Sequence, residues 1–167
     1  MSLSDLRRRR LVLAGAAGVA TLAGCGFQLR GAAPLAFRSI ALTGFAPRSP
    51  LALELTDALA RNVVVESLPA RAELVLQALT DLRERAVVAT TAAAQVREVQ
   101  LRLRLRWRTH TPVGREVTPA AELALSRDMS YSESVALAKQ HEEADLYREM
   151  QTDIVAQVLR RLAAIRL

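Results

Sequence analysis

Hydrophobic and polar positions alternate one by one between Gln95 and His110. Val99, Leu101, Leu103, Leu105 and Trp107 interleave with Gln100, Arg102, Arg104, Arg106 and Arg108. Successive side chains of a β-strand point to opposite faces, so this segment predicts a strand with one apolar and one cationic face. Thr111-Pro112-Val113-Gly114 predicts a turn, and residues 115–127 a return strand with Val117, Ala121, Leu123 and Leu125 on one face. Pro119 within it marks an edge strand or a bulge. With the turn closed to place Arg108 opposite Glu116, Arg102 falls opposite Glu122. Trp107, Leu105, Leu103 and Leu101 then oppose Val117, Pro119, Ala121 and Leu123, which keeps the apolar faces together.

The same reading extends outward from this hairpin. Leu74, Leu76 and Ala78 alternate against Val75, Gln77 and Leu79, which predicts a strand opening the 74–89 segment, with the small residues Thr90–Ala94 as the turn after it. Residues 37–42 predict a short strand and residues 44–47 a turn. Ser49-Pro50 is a helix start, with Ser as N-cap and Pro in the first turn. Leu51, Leu55, Ala58, Leu59 and Val63 follow at helical spacing, predicting a helix over 50–64. Residues 128–134 predict a polar link. From Val135 nearly to the end, Leu146, Met150, Ile154, Val158, Leu162 and Ile165 form a stripe at spacings of three and four, which predicts a second, longer helix. The expected fold is α+β: one antiparallel or mixed four-stranded sheet with two helices packed on one face.

The first 24 residues do not belong to that domain. Arg7 to Arg10 precede a short apolar run, Leu11 to Leu22, that ends in Leu22-Ala23-Gly24-Cys25. A basic head, an apolar stretch too short to span a bilayer, and small residues at a cut site are the layout of a secretory signal. A cysteine directly after the cut makes it a lipobox. Cys25 would carry a diacylglyceryl group and an N-acyl chain as the mature N-terminus, with residues 25–36 as an acylated tether and 37–167 as the folded domain. Gly26, where an acidic residue would favour retention in the inner membrane, points to the periplasmic face of the outer membrane.

Composition then limits the chemistry. The chain of 167 residues has a net charge of +6, and loss of residues 1–24 removes four arginines and Asp5, leaving +3. Much of the basicity is therefore targeting signal, and no nucleic-acid partner is called for. Cys25 is the single cysteine, so no disulfide forms within the chain. His110 and His141 have no ligand-spaced companions, and no phosphate loop or nucleophile elbow is present. The chain reads as a protein without catalytic residues, metal or other cofactor. The best binding candidate is the row Arg102, Arg104, Arg106 and Arg108, four cations on one strand face. Planar guanidinium groups suit phosphate or carboxylate, while Glu116 and Glu122 offer partial neutralisation within the sheet.

Two stretches carry a resemblance. Cys25-Gly26-Phe27-Gln28-Leu29-Arg30-Gly31 is similar to the opening of the LptE family, lipoproteins of lipopolysaccharide assembly in the Gram-negative outer membrane. Leu137-Ala138-Lys139-Gln140 with Glu142-Glu143 and Leu146-Tyr147, continuing into Val158-Leu159-Arg160-Arg161-Leu162, resembles the family's last helix. The resemblance covers the whole mature chain. It implies a non-enzymatic protein that plugs the lumen of the barrel LptD, forms a heterodimer with it, and assists lipopolysaccharide to the outer leaflet. It places the family's lipopolysaccharide-associated lysine on Lys139, the only lysine present. The family's second basic residue, near the turn before the third strand, has no counterpart in Thr90–Ala94, so Arg97 or the arginine row would have to supply it. The alternative is an auxiliary lipoprotein of another envelope lipid-transport system.

Overall fold

The computed structural model describes residues 34–166. The signal segment 1–24, Cys25 and the tether as far as residue 33 lie outside the described residues. The chain runs β1 (Ser39–Thr43), α1 (Pro50–Ala60), β2 (Val64–Glu66), β3 (Leu74–Thr90), β4 (Val96–His110), β5 (Glu116–Ser130) and α2 (Ala136–Ala163). The sheet order is β2-β1-β3-β4-β5. β1 runs parallel to both β2 and β3, and β3, β4 and β5 form an antiparallel meander.

The sheet is mixed, as expected, but it has five strands rather than four. The extra strand is β2. Helical spacing carried the first helix to residue 64, yet α1 stops at Ala60 and Val64 pairs with Ser39. Val63, Val64 and Val65 are β-branched and stiff at χ1, which favours a pleated strand over a last helical turn. The start of α1 matches its signature: Ser49 Oγ accepts from the Ala52 N–H at 3.1 Å, and Pro50 opens the first turn.

The predicted polar link is also shorter. β5 continues to Ser130, and Met129 packs opposite Val99 at 2 % exposure. Arg127 interrupts the apolar alternation on this face, and Met129 resumes it two residues later.

The β4–β5 register differs from the expected one. Arg106, not Arg102, faces Glu122. Trp107, Leu105 and Leu103 face Ala121, Leu123 and Leu125, and His110 faces Glu116. The displacement is by an even number of residues through the apolar core of the ladder, so every side chain keeps its predicted face. The loop Thr111–Arg115 and two irregularities between Trp107 and His110 set the offset. Both hairpin loops close alike. The Thr111 N–H donates to the Arg115 carbonyl and Thr111 Oγ1 accepts from the Arg115 N–H; Thr91 does the same with Gln95. The fourth loop residue is left-handed in both, Gly114 at φ +89° and Ala94 at φ +57°.

One face of the sheet is the core. Ile40, Leu74, Leu76, Val99, Leu101, Leu105 and Trp107 meet Leu51, Leu55 and Leu59 of α1 and Met150, Ile154, Val158 and Leu162 of α2. Trp107 is flanked across the ladder by Ala78 and Ala121, whose small side chains leave room for its indole. α1 and α2 are tied at their polar edge, where Thr152 Oγ1 donates to Glu54 at 2.8 Å. Among the described residues no helix is long and apolar enough to cross a membrane.

Candidate functional site

The arginine row lies where the alternation put it, on the face of β4 turned away from the helices. Arg102, Arg104 and Arg106 are exposed and Arg108 is half-buried. Glu84 and Glu122 stand opposite Arg102 and Arg106 in the ladder. Arg102 donates to Gln100 Oε1 at 2.6 Å and Arg108 to Gln77 Oε1 at 2.8 Å. Arg104 meets Glu122 at 3.7 Å with both side chains about half exposed. Among the described residues this is the only ion pair that involves the row. An exposed pair of that geometry contributes roughly 0–1 kcal/mol. The row is thus only partly neutralised within the sheet, and its remaining cations can accept anions from outside.

Lys139 lies elsewhere. It sits near the start of α2, against the end of β5. Its Nζ donates to Ser130 Oγ at 3.1 Å and to Glu142 at 2.7 Å, and its side chain is only 17 % exposed. The fold does not bring Lys139 and the arginine row into one site.

It does bring the helix segment that carries Lys139 against Arg83, Arg85 and Tyr131, which the sequence pattern did not single out. β3 carries a bulge between Ala78 and Thr80. Up to that point Leu74, Leu76 and Ala78 face the helices; beyond it Asp81, Arg83 and Arg85 do, opposite Leu105, Leu103 and Leu101. The extra residue, Leu79, reverses which parity of β3 points inward, as a bulge does. It turns Leu82 outward, opposite Arg104, and aims two arginines at α2. The Arg83 guanidinium stacks on the Tyr147 ring, 3.6 Å from its centroid. Arg85 donates from Nε to Glu143 at 3.2 Å and stands 5.2 Å from the Tyr131 centroid. Tyr147 donates its hydroxyl to the Glu84 carbonyl oxygen. Burial pushes this phenol above its ordinary pKa, opposed by the hydrogen bond and charge of Arg83, so it stays a donor at neutral pH.

These side chains line an open pocket of about 380 Å³, formed by Arg83, Arg85, Tyr131, Gln140, Glu143 and Ala144. Lys139 neighbours it through Gln140 and through Ser130, the residue before Tyr131. Among the described residues no three His, Cys, Asp or Glu side chains are grouped to hold a metal. The pocket is cationic and aromatic, which is the chemistry of anion recognition.

The family model LptE, described as lipopolysaccharide-assembly, matches residues 37–162. A solution structure of the uncharacterized lipoprotein B from Nitrosomonas europaea superposes with a TM-score of 0.69 at 28% identity, covering 83% of this chain and 91% of that one. A minor lipoprotein from Acinetobacter baumannii gives a TM-score of 0.63 at 24% identity, over 78% and 94% of the two chains. The rare lipoprotein B from Shewanella oneidensis gives 0.61 at 23%, over 76% and 95%. The last two establish likeness of fold. No curated protein sequence matches the chain at a significant level.

Proposed function

We propose, for a chain that belongs to the lipopolysaccharide-assembly family LptE, that it is a non-catalytic lipoprotein acting as plug and assembly partner of the outer-membrane barrel LptD. In this reading Cys25 holds diacylglycerol and an N-acyl chain, which anchor the protein in the inner leaflet of the outer membrane on its periplasmic face. The domain fills the lumen of the barrel and assists lipopolysaccharide into the outer leaflet, touching it at Lys139. The observation that carries the reading is the family match over nearly the whole described domain, 37–162. The arginine face supports it. Interiors of outer-membrane barrels are polar, and carboxylates there would pair with Arg102, Arg104, Arg106 and Arg108.

Charge reversal tests the face. Arg104→Glu with Arg106→Glu is expected to reduce co-purification of the barrel by about tenfold or more, since like charges brought together across an interface cost several kcal/mol. The thermal midpoint of the isolated protein should barely move, because both side chains are exposed and share one weak ion pair. Unchanged barrel recovery would mean that this face contacts solvent only.

Cys25→Ala tests the anchor. In cells depleted of the barrel the variant should move from the membrane to the soluble fraction, as lost acyl chains remove most of the membrane affinity. With the barrel present, part of it should remain with the outer membrane. Retention in the membrane without the barrel would contradict the lipid-anchor assignment.

A further inference from the structure

We infer that the pocket between β3 and the start of α2 is a phosphate site, in which Arg83 and Arg85 grip a phosphate group and Glu143 occupies Arg85 until that group arrives. The source of the phosphate as lipopolysaccharide rests on the function proposed above; the chemistry of the site does not.

Arg83 and Arg85 are two residues apart on one strand face, roughly 6–7 Å along the chain, and repel each other unless an anion lies between them. Glu143 meets this need only in part. It takes one N–H of Arg85, at 3.2 Å, and among the described residues Arg83 has no carboxylate at all. The Tyr147 ring covers one face of the Arg83 guanidinium. That leaves its in-plane N–H edge for an acceptor, which is how a stacked arginine presents its fork.

The space also exceeds what Glu143 needs. The pocket, about 380 Å³ and open to solvent, has room for a phosphate group beside Glu143. A carboxylate offers two oxygens to one fork, whereas a phosphate monoester offers three and can bridge two. Beside the cations stand exposed apolar side chains. Leu137 is 70 % exposed three residues before Gln140, and Val87 follows Arg85 on the same face of β3 at 49 %. Cations bordered by exposed apolar groups suit a phosphorylated amphiphile better than a free ion.

The bulge at Leu79 gives the site its origin in the fold. Without it Arg83 and Arg85 would point to the outer face with the arginine row.

The two roles of Glu143 separate a site from a structural ion pair. A structural Glu143 would leave ligand affinity unchanged or lower it when removed. A glutamate that competes with the ligand would raise it. The test uses the full-length acylated protein in mild detergent. Three probes are titrated: lipopolysaccharide, the same lipopolysaccharide after enzymatic dephosphorylation, and phosphatidic acid in mixed micelles. Glu143→Gln is expected to tighten binding of intact lipopolysaccharide by about 3- to 10-fold. Arg83→Gln with Arg85→Gln is expected to weaken it by about tenfold or more, as two charge-assisted contacts are lost. Dephosphorylated lipopolysaccharide should not distinguish the three proteins.

If phosphatidic acid gives the same ranking while lipopolysaccharide does not, the phosphate site stands and lipopolysaccharide as its ligand fails. If Glu143→Gln leaves binding of both intact lipopolysaccharide and phosphatidic acid unchanged or weaker, the site is overturned, whatever the double arginine variant does. Barrel co-purification, measured on the same variants, reports separately on the proposed function.

Discussion

Gly44→Ala is expected to cost about 3–5 kcal/mol and to lower the thermal midpoint by roughly 10–20 °C. Gly44 follows β1 with φ at +77°, and a Cβ there would stand 2.1 Å from the backbone oxygen of Ala78. Two penalties coincide. A left-handed conformation costs an L-residue about 1–2 kcal/mol. The clash adds to it, because the obstructing atom is a carbonyl oxygen in a paired strand and cannot swing away. Gly114→Ala is the control. Its φ is +89°, yet nothing lies within 4 Å of the added Cβ, so only the conformational cost of about 1–2 kcal/mol applies. Thermal melts of the two variants separate the effects: equal losses would show that the contact at Ala78 is relieved by a small shift of β1. Ala78 is also the residue at which β3 bulges, so the Gly44 variant should disturb the placement of Arg83 and Arg85 as well.

Trp107→Ala is expected to cost about 3–5 kcal/mol, the range for removing a buried large aromatic side chain. The indole is 2 % exposed and sits where β3, β4 and β5 are flanked by alanines. Its cross-strand partners Ala78 and Ala121 are too small to fill the space it would leave within the sheet, which places the loss toward the upper end. Trp107→Phe should cost clearly less. It keeps most of the apolar volume and removes an indole N–H that has no hydrogen-bond partner, the one such buried atom among the described residues. Chemical denaturation of both variants checks the pair. A phenylalanine variant as unstable as the alanine one would show that the N–H is satisfied and matters.

Part of this molecule is written in its hydrophobic pattern and part is not. β4 was legible because its two faces meet different surroundings over its whole length, Leu101 to Trp107 in the core and Arg102 to Arg106 in solvent. α2 was legible for the same reason at helical period. The cap at Ser49 was legible because Ser-Pro fixes both a donor's partner and a backbone angle. β2 was not, because three residues show no period and their valines also continue the spacing of α1. The β4–β5 register was not, because every even displacement keeps the same faces and only the loop geometry chooses among them. The pocket was hidden by a single residue. A bulge at Leu79 leaves no mark in composition, yet it reverses the parity of everything after it. Read without it, Leu82 belongs to the core and Arg83 and Arg85 to the outer face; the fold has them the other way round. The hint was the loss of apolar alternation after Ala78, where Thr80 and Glu84 occupy positions of the same parity as Leu74 and Leu76. The arginine row and Lys139 were both found from sequence, but only the fold shows that they are separate sites.

The plug proposal is tested most directly by recovering an affinity-tagged form of this protein from outer membranes in mild detergent, with every co-purifying protein identified and quantified. A large β-barrel, LptD, is expected in one-to-one proportion. Recovery of the lipoprotein alone, or with the subunits of an inner-membrane lipid transporter, would contradict it.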